Sequence, residues 1–422
     1  LALFFYNLFL IVLFPLILLR VAFRAIKTPD YRDRIGQRFG IFSGESNDTR
    51  TIWLHAVSVG EVVAAAPQIR TLLQDYPSQP LLVTTMTRTG YRQLQKLFPE
   101  NVKHVYLPYD FRWAVKRFLT CFQPSIAIIM ETEIWPNLYI ECAKREIPVI
   151  LVNARLSERS AKSYRRFSNL THQVLSAIDH IAAQHQSDAE RFIELGLKPE
   201  RVSVTGSIKF DLDLPADLQE QATQLRSSLG VHRPVWIAAS THEGEDEIIL
   251  QVHQNLLKLY PQTLLVLVPR HPERFDRVAQ LCRTLNLQVV RRQLSEDCQP
   301  STQVYLGDTM GELLLLYGSA DIAFVGGSLV AVGGHNPLEP AALGLPILCG
   351  PHIFNFEDIT QRLIAEHACT QVQNHQQLYT EIQRLIEDPS LRQSMGRKAS
   401  HFVDANRGSL EKINTIVKSY LA

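Results

Sequence analysis

The chain has 422 residues, 46% of them hydrophobic and 20% charged, and a formal net charge of +1. That length exceeds one ordinary domain, so two to three are expected, and the composition excludes a disordered or fibrous chain. The near-zero charge excludes a global field that recruits nucleic acid. Six scattered cysteines without a CxxC pair exclude a zinc-binding pattern and point to reduced, mostly buried thiols in a cytosolic compartment.

The amino end stands apart. Residues 1–19 carry no charge and one strongly polar side chain, Asn7. Arg20, Arg24, Lys27, Arg32, Arg34 and Arg38 follow, with only Asp30 and Asp33 against them. About 20 apolar residues span a bilayer core, and basic residues just after the span place that side in the cytoplasm. A cleaved signal peptide lacks support, because there is no basic n-region and no small-x-small site. The expectation is a single membrane anchor over residues 1–28; a buried hairpin helix is the alternative.

Behind it, strand-like runs at 52–57, 81–85, 104–107, 126–130, 149–153, 181–183 and 202–205 alternate with amphipathic stretches such as 91–98 and 113–121. The pattern restarts at 235–239, 264–268, 288–290, 304–306, 322–325 and 346–349, with helical runs at 245–257 and 312–317. Such alternation predicts parallel βαβ units and doubly wound sheets. The expected domains are 29–212 and 213–400, two similar α/β halves facing one cleft. Residues 209–215 read as a linker. A last helical run, 377–386 and then 397–420, gives a terminal segment 401–422 that packs back on the first half.

The period change from strand to helix across residues 51–69 leaves Glu61 in the first helical turn. Ligands of open α/β sheets bind at such strand ends, so Glu61 reads either as a general base or as an acid favouring the helix N-terminus. Strand 126–130 runs into Glu131-Thr132-Glu133. Alternate residues of an extended tip point opposite ways, so one carboxylate need face the cleft; a pair of capping acids is the other reading. Lys209 lies where a cation can meet an acid from either half, or is simply solvated. In the second half, Arg270 follows the strand tip at Pro269, where a planar fork suits a phosphate or base edge and a surface ion pair is equally open. Gly307 and Gly311 permit a tight turn with N–H groups aimed at a ligand.

The glycine pairs Gly326-Gly327 and Gly333-Gly334 lead to Asn336 and to Pro337, expected at the first helical position. A glycine loop running into a helix start is a ready phosphate site, and Glu339 is placed to accept hydrogen bonds from ribose hydroxyls. The absence of a Walker lysine and of GxGxxG weakens ATPase and dinucleotide readings. Asp211-Leu212-Asp213 has the DxD form of metal-dependent sugar transferases, and His242 to Asp246 could supply metal ligands, but helix starts and linker acids explain both, and no metal is expected. The basic stretch 155–166, with Arg159, Lys162, Arg165 and Arg166, touches anionic headgroups or is a solvated helix face.

WLHAVSVGE, METEIWPN, NARLSERS, GSIKFD, PRHPERF, GDTMGEL and GGHNPLEPA occur in this order over nearly the whole chain. Together they closely resemble the 3-deoxy-D-manno-octulosonic acid (Kdo) transferases of lipopolysaccharide biosynthesis, glycosyltransferase family 30. The resemblance implies a GT-B fold, CMP-Kdo as donor, and the tetra-acylated lipid A precursor (lipid IVA) as acceptor, at the bacterial inner membrane and without cofactor or nucleic acid. It places the general base at Glu61 and transition-state stabilisers at Glu131 and Lys209. CMP contacts fall at Pro269 and Arg270, at Met310, Gly311 and Glu312, and at Asn336, Pro337, Leu338 and Glu339. The rival readings are another GT-B sugar-nucleotide transferase or epimerase, and a non-catalytic nucleotide-binding membrane adaptor.

Overall fold

The computed structural model describes residues 1–27, 34–42 and 49–421; Asp30, Arg32 and Asp33, part of the charge asymmetry behind the anchor, lie outside the described residues. The chain forms two compact units, Leu1–Asp211 with Arg407–Ala422, and Leu212–Asn406.

Unit 1 opens with α1 (Ala2–Lys27), a helix long and apolar enough to cross a membrane. Then come β1 (Thr51–His55), α2 (Val59–Asp75), β2 (Leu81–Thr85), α3 (Arg88–Leu97), β3 (Lys103–Tyr106), α4 (Arg112–Phe122) and β4 (Pro124–Met130). The unit continues with α5 (Pro136–Ala143), β5 (Val149–Ala154), α6 (Glu158–Arg166), α7 (Ser168–Leu175), β6 (His180–Ala183), α8 (Gln186–Glu194) and β7 (Val202–Val204). The sheet is parallel, in the order β3-β2-β1-β4-β5-β6-β7. Its central strands are buried on both faces, as helices on both sides of a parallel sheet require, and therefore read as largely apolar runs rather than alternating ones.

Unit 2 repeats the plan: α9 (Leu218–Leu229), β8 (Val235–Thr241), α10 (Glu245–Leu259), β9 (Leu264–Pro269), α11 (Phe275–Thr284), β10 (Val289–Arg291), β11 (Val304–Leu306), α12 (Leu313–Gly318) and β12 (Ile322–Val325). It ends with α13 (Leu338–Ala342), β13 (Ile347–Cys349), α14 (Glu357–Ala365), β14 (Cys369–Gln371), α15 (His375–Glu387) and α16 (Pro389–Ala405). The parallel order is β10-β11-β9-β8-β12-β13-β14. In both sheets the order of strand addition reverses beside the first strand, at β1/β4 and at β8/β12, the topological switch points where such folds bind ligands.

Two expectations need correction. The terminal run 397–420 is two helices, α16 and α17 (Ser409–Leu421), broken where Gly408 takes φ +89°. The edge strand β14 has no counterpart among the expected strands; it is three residues long and half-exposed, so it lacks an apolar run. α17 belongs to unit 1, where Ile413 and Val417 join the core cluster of Ile126 and Ile208. Asp211 docks its start, accepting hydrogen bonds from the amides of Gly408 at 2.7 Å and Leu410 at 2.6 Å. The first acid of the DxD sequence is thus a helix cap supplied from afar.

Candidate active site

In unit 1 the chain leaves β1 at the switch point and turns into α2. Ser58 is the N-cap, its Oγ accepting from the Glu61 amide at 3.5 Å, while Glu61 reaches back. The Glu61 carboxylate accepts from the Val57 amide at 2.7 Å and from Ser58 Oγ at 3.0 Å. This is a capping box shifted by one residue, so the capping reading of Glu61 is structurally real. It does not exhaust the residue. The side chain is buried, and burial outweighs the hydrogen bond from Val57, so its pKa rises to about 7, with the nearby carboxylates of Glu131 and Glu133 adding to the rise. A carboxyl group held near neutrality is tuned for proton transfer.

Glu131 follows β4, the neighbour of β1, and its backbone is left-handed at φ +57°. The tip is therefore not extended at Glu131, so strand alternation does not decide which carboxylate faces the site, and the charges of both Glu131 and Glu133 raise the Glu61 pKa. A non-glycine residue in this region costs of order 1–3 kcal/mol and persists only when its surroundings hold it. Here the Glu131 amide donates to Val152 O at 2.9 Å, and the Thr132 hydroxyl donates to Arg155 O while accepting from the Arg155 amide at 3.1 Å. Lys209 sits half-buried in a 3₁₀ turn, Ile208–Phe210, whose flanking residues are core. Asn153, itself at φ +55°, accepts from the Ile208 amide at 3.2 Å. The turn packs against α2, and Ile208 shares a core cluster with Ala56 and Val62 on either side of the Glu61 turn. The three acids and Lys209 therefore come from segments that unit 1 packs together.

In unit 2, Pro269 ends β9 buried, and Arg270 beyond it is exposed, its amide donating to Thr241 O at 3.0 Å. Arg270 makes no salt bridge among the described residues, but its charge lowers the pKa of Glu339, which burial otherwise raises, so the two are neighbours. Glu339 accepts from Asn336 Nδ2 at 3.3 Å, and Asn336 Oδ1 accepts from the Leu338 amide at 3.1 Å. Pro337 is the residue before α13 rather than its first, one position off the expectation. Pro269, Arg270, Asn336, Pro337, Leu338 and Glu339 thus fall at the ends of adjacent segments.

The glycine loop does not serve as the phosphate cradle the sequence suggests. Gly327 donates to Glu245, and Gly333 and Gly334 both donate to Gly327 O, at 3.0 and 2.7 Å. Glu245 is an internal anion, wholly buried, taking the amides of Gly327 (2.6 Å), Ser328 (2.9 Å), Leu329 (2.8 Å) and His242 (2.9 Å). These N–H groups already have their negative charge. The turn after β11 differs. Gly311 takes φ +91° with open space around it, and the amides of Met310 and Gly311 find no protein acceptor among the described residues. The Glu312 side chain is occupied, paired with Arg292 at 2.8 Å and accepting from Thr309, which leaves the backbone of this turn to meet an anion.

Sequence reasoning missed a histidine cluster beside Arg270. His242 and His335 share a hydrogen bond between their Nε2 atoms at 2.8 Å, and the ring of His271 lies 5.2 Å from that of His242. Burial lowers both pKa values, that of His335 to about 4. It also missed Arg274, which pairs with the buried Asp246. No signal in spacing joins residues so far apart. The HEGED segment is thereby accounted for: Glu245 holds the glycine loop and Asp246 holds Arg274. Among the basic residues of α6, Lys162 pairs with Glu158 and Arg165 with Glu194, each at 2.7 Å, so these two of its four carry their own counter-charge.

Comparisons with known proteins bear on these two units. A family described as 3-Deoxy-D-manno-octulosonic-acid transferase (kdotransferase) matches residues 33–212, and Glycosyl transferases group 1 matches residues 233–402. The chain is 43% identical over 420 residues to a 3-deoxy-D-manno-octulosonic acid transferase of Haemophilus influenzae, covering 99% of this chain and 98% of that one. It is 34% identical over 382 residues to one of Bordetella pertussis, covering 88% and 87%. Among solved structures, the UDP-GlcNAc 2-epimerase of Neisseria meningitidis bound to UDP-GlcNAc superposes with a TM-score of 0.55 at 17% identity, over 87% of this chain and all of that one. An S. aureus MnaA–UDP structure gives 0.52 at 15% identity, over 88% and 97%. At such identity these neighbours establish the fold, GT-B, and nothing about substrate.

Proposed function

The chain belongs to the 3-deoxy-D-manno-octulosonic acid transferase family and is a glycosyltransferase; on that premise we propose that it moves Kdo from CMP-Kdo to a hydroxyl of the tetra-acylated lipid A precursor with inversion. The reaction takes place at the cytoplasmic face of the bacterial inner membrane, to which α1 holds the chain. The observation that carries the reading is Glu61, a buried carboxyl tuned to about 7 at the switch point of unit 1.

Glu61 takes the proton of the lipid hydroxyl as that oxygen bonds to the anomeric carbon of Kdo. The bond from that carbon to the phosphate oxygen breaks, and its electron pair leaves with CMP. A carboxylate is a weak base for a sugar hydroxyl, so proton transfer is late and coupled to bond breaking; general-base help of this kind is worth ~10²–10⁴-fold in rate. Glu131 and Lys209 stabilise the charge that shifts in the transition state. Unit 2 holds the donor: Arg270 and the free amides of Met310 and Gly311 meet the phosphate, and Asn336 and Glu339 meet the ribose. The test is mass spectrometry of the product from purified protein, CMP-Kdo and lipid A precursor. A Kdo-bearing lipid with release of CMP is expected. Turnover of a different nucleotide sugar, with none of CMP-Kdo, overturns the assignment.

A further inference from the structure

The anchor helix does not stand clear of the protein. Leu3 packs against the core of unit 1. The Tyr6 hydroxyl donates to Asp110 at 2.9 Å, and Asn7 Oδ1 accepts from Asn137 Nδ2 at 2.8 Å. Phe14 meets Phe111 and Phe39 edge-on at 5.3 and 6.1 Å, and Val21 is 6% exposed. Positions 3, 6, 7, 14 and 21 form one face of a helix. From Leu3 to Val21 that face is ~27 Å long at 1.5 Å per residue, against a hydrocarbon core of ~30 Å.

A helix covered by its own protein over this length cannot cross a bilayer unless the body goes with it. The body beside the contact is unfit for that. Arg112 lies between Phe111 and Trp113 with half its side chain exposed, and the Arg117 guanidinium sits 5.4 Å from the Trp113 ring. Yet the opposite face of α1, with Phe4, Phe5, Leu8, Phe9, Val12 and Leu16, is exposed and wholly apolar. Exposed Trp113 stacks on Phe111 at 5.9 Å, and exposed Arg20, Arg24 and Lys27 end the helix. Aromatic and basic side chains bordering an apolar face match the headgroup level of a membrane.

We propose that α1 lies in the plane of a single phospholipid leaflet, its outer face in the acyl region and its inner face latched to unit 1 through Asn7–Asn137 and Phe14–Phe111, rather than crossing the bilayer. The occupant of the exposed face is lipid with anionic headgroups, which the neighbouring arginines and Lys27 complement. This rests on the reading that the protein works at a membrane, and it changes what the sequence led us to expect of residues 1–19. An in-plane keel fixes the height of unit 1 over the leaflet that carries a lipid acceptor.

The test is cross-linking in native membranes with the full chain. Two variants carry cysteine pairs, Asn7→Cys with Asn137→Cys and Phe14→Cys with Phe111→Cys; a control pairs Phe9→Cys with Asn137→Cys. A short bifunctional thiol reagent should join the first two pairs and not the control, with retained transfer to detergent-dispersed acceptor, which needs unit 1, reporting the fold. If the protein is membrane-bound and active in transfer but neither pair joins, the in-plane arrangement is wrong. If the pairs join in protein that never sediments with membranes, the membrane reading itself is wrong. Phe5→Asp with Phe9→Asp should move most of the protein to the soluble fraction while the latch pairs still join.

Discussion

Replacing Glu61 by glutamine separates the role of this residue in the fold from its role in chemistry. The carboxyl titrates near 7 in the folded chain against an ordinary value of 4.5, a rise of ~2.5 units at ~1.36 kcal/mol each, or ~3 kcal/mol. The sign follows from linkage. An acid whose pKa is raised on folding binds its proton more tightly in the folded state. Its contribution is fully present below pH 4.5 and is lost as pH rises through about 7. Glutamine cannot ionise, so it escapes that loss. It keeps one acceptor oxygen for Val57 or Ser58 and gives up the other, at a cost of about 1 kcal/mol. Denaturation curves should therefore show Glu61→Gln less stable than wild type by about 1 kcal/mol below about pH 4, nearly equal to it at about pH 5, and more stable by roughly 2 kcal/mol at about pH 8.5. Transfer from CMP-Kdo to lipid acceptor, followed by CMP release, should fall ~10²–10⁴-fold, with CMP affinity by calorimetry unchanged. Wild-type rate should rise with pH and level off above about 7 as the base ionises. A variant within a few-fold of wild type in transfer would remove Glu61 from the mechanism, and parallel stability profiles for the two proteins would refute the origin assigned to its pKa.

Other outcomes follow from the same geometry. Glu245→Gln turns an amide N–H₂ toward one pair of the four backbone donors that the buried carboxylate satisfies; at about 1.5–3 kcal/mol per bond to a charged group, calorimetry should show a loss of roughly 3–6 kcal/mol. Arg270→Ala, at an exposed residue, should leave the melting temperature alone and weaken CMP binding roughly 10- to 100-fold, the worth of a charge-assisted bond. The buried His55 and His253 have pKa values lowered to about 4 by burial. The unfolded chain therefore binds more protons between about 4 and 6.5, and stability should fall as pH drops through that window by up to ~3 kcal/mol per histidine. A flat profile there in urea titrations would contradict the burial of these rings.

The strands were legible because both sheets are parallel and covered on both faces, so runs such as Leu81–Thr85 and Val304–Leu306 are buried from end to end and mostly apolar or β-branched. β14 was not, being a short edge strand with one buried residue. Glu61 could be singled out because strand period gives way to helix period within a few residues of it. The burial that tunes it comes from residues throughout the packed unit, and the left-handed backbone of Glu131 depends on ties to Val152 and Arg155. The glycine loop shows the limit most clearly. Its glycines are visible as letters, but the carboxylate that takes the amides of Gly327, Ser328 and Leu329 lies 82 to 84 residues earlier.

What the sequence alone determined is the order of elements, the parallel sheets and the chemical types placed at strand ends, because hydrophobic period and turn chemistry act over a few residues. Only the tertiary structure decided which charges are spent inside and which are left for a ligand. Glu245, Glu312 and Asp211 are engaged by protein groups, while Arg270 makes no salt bridge among the described residues and the amides of Met310 and Gly311 have no protein acceptor there. It also decided that α1 lies along unit 1. The reason in each case is the same: a hydrogen bond or ion pair joins whichever groups folding brings within about 3 Å, and that distance has no trace in sequence separation.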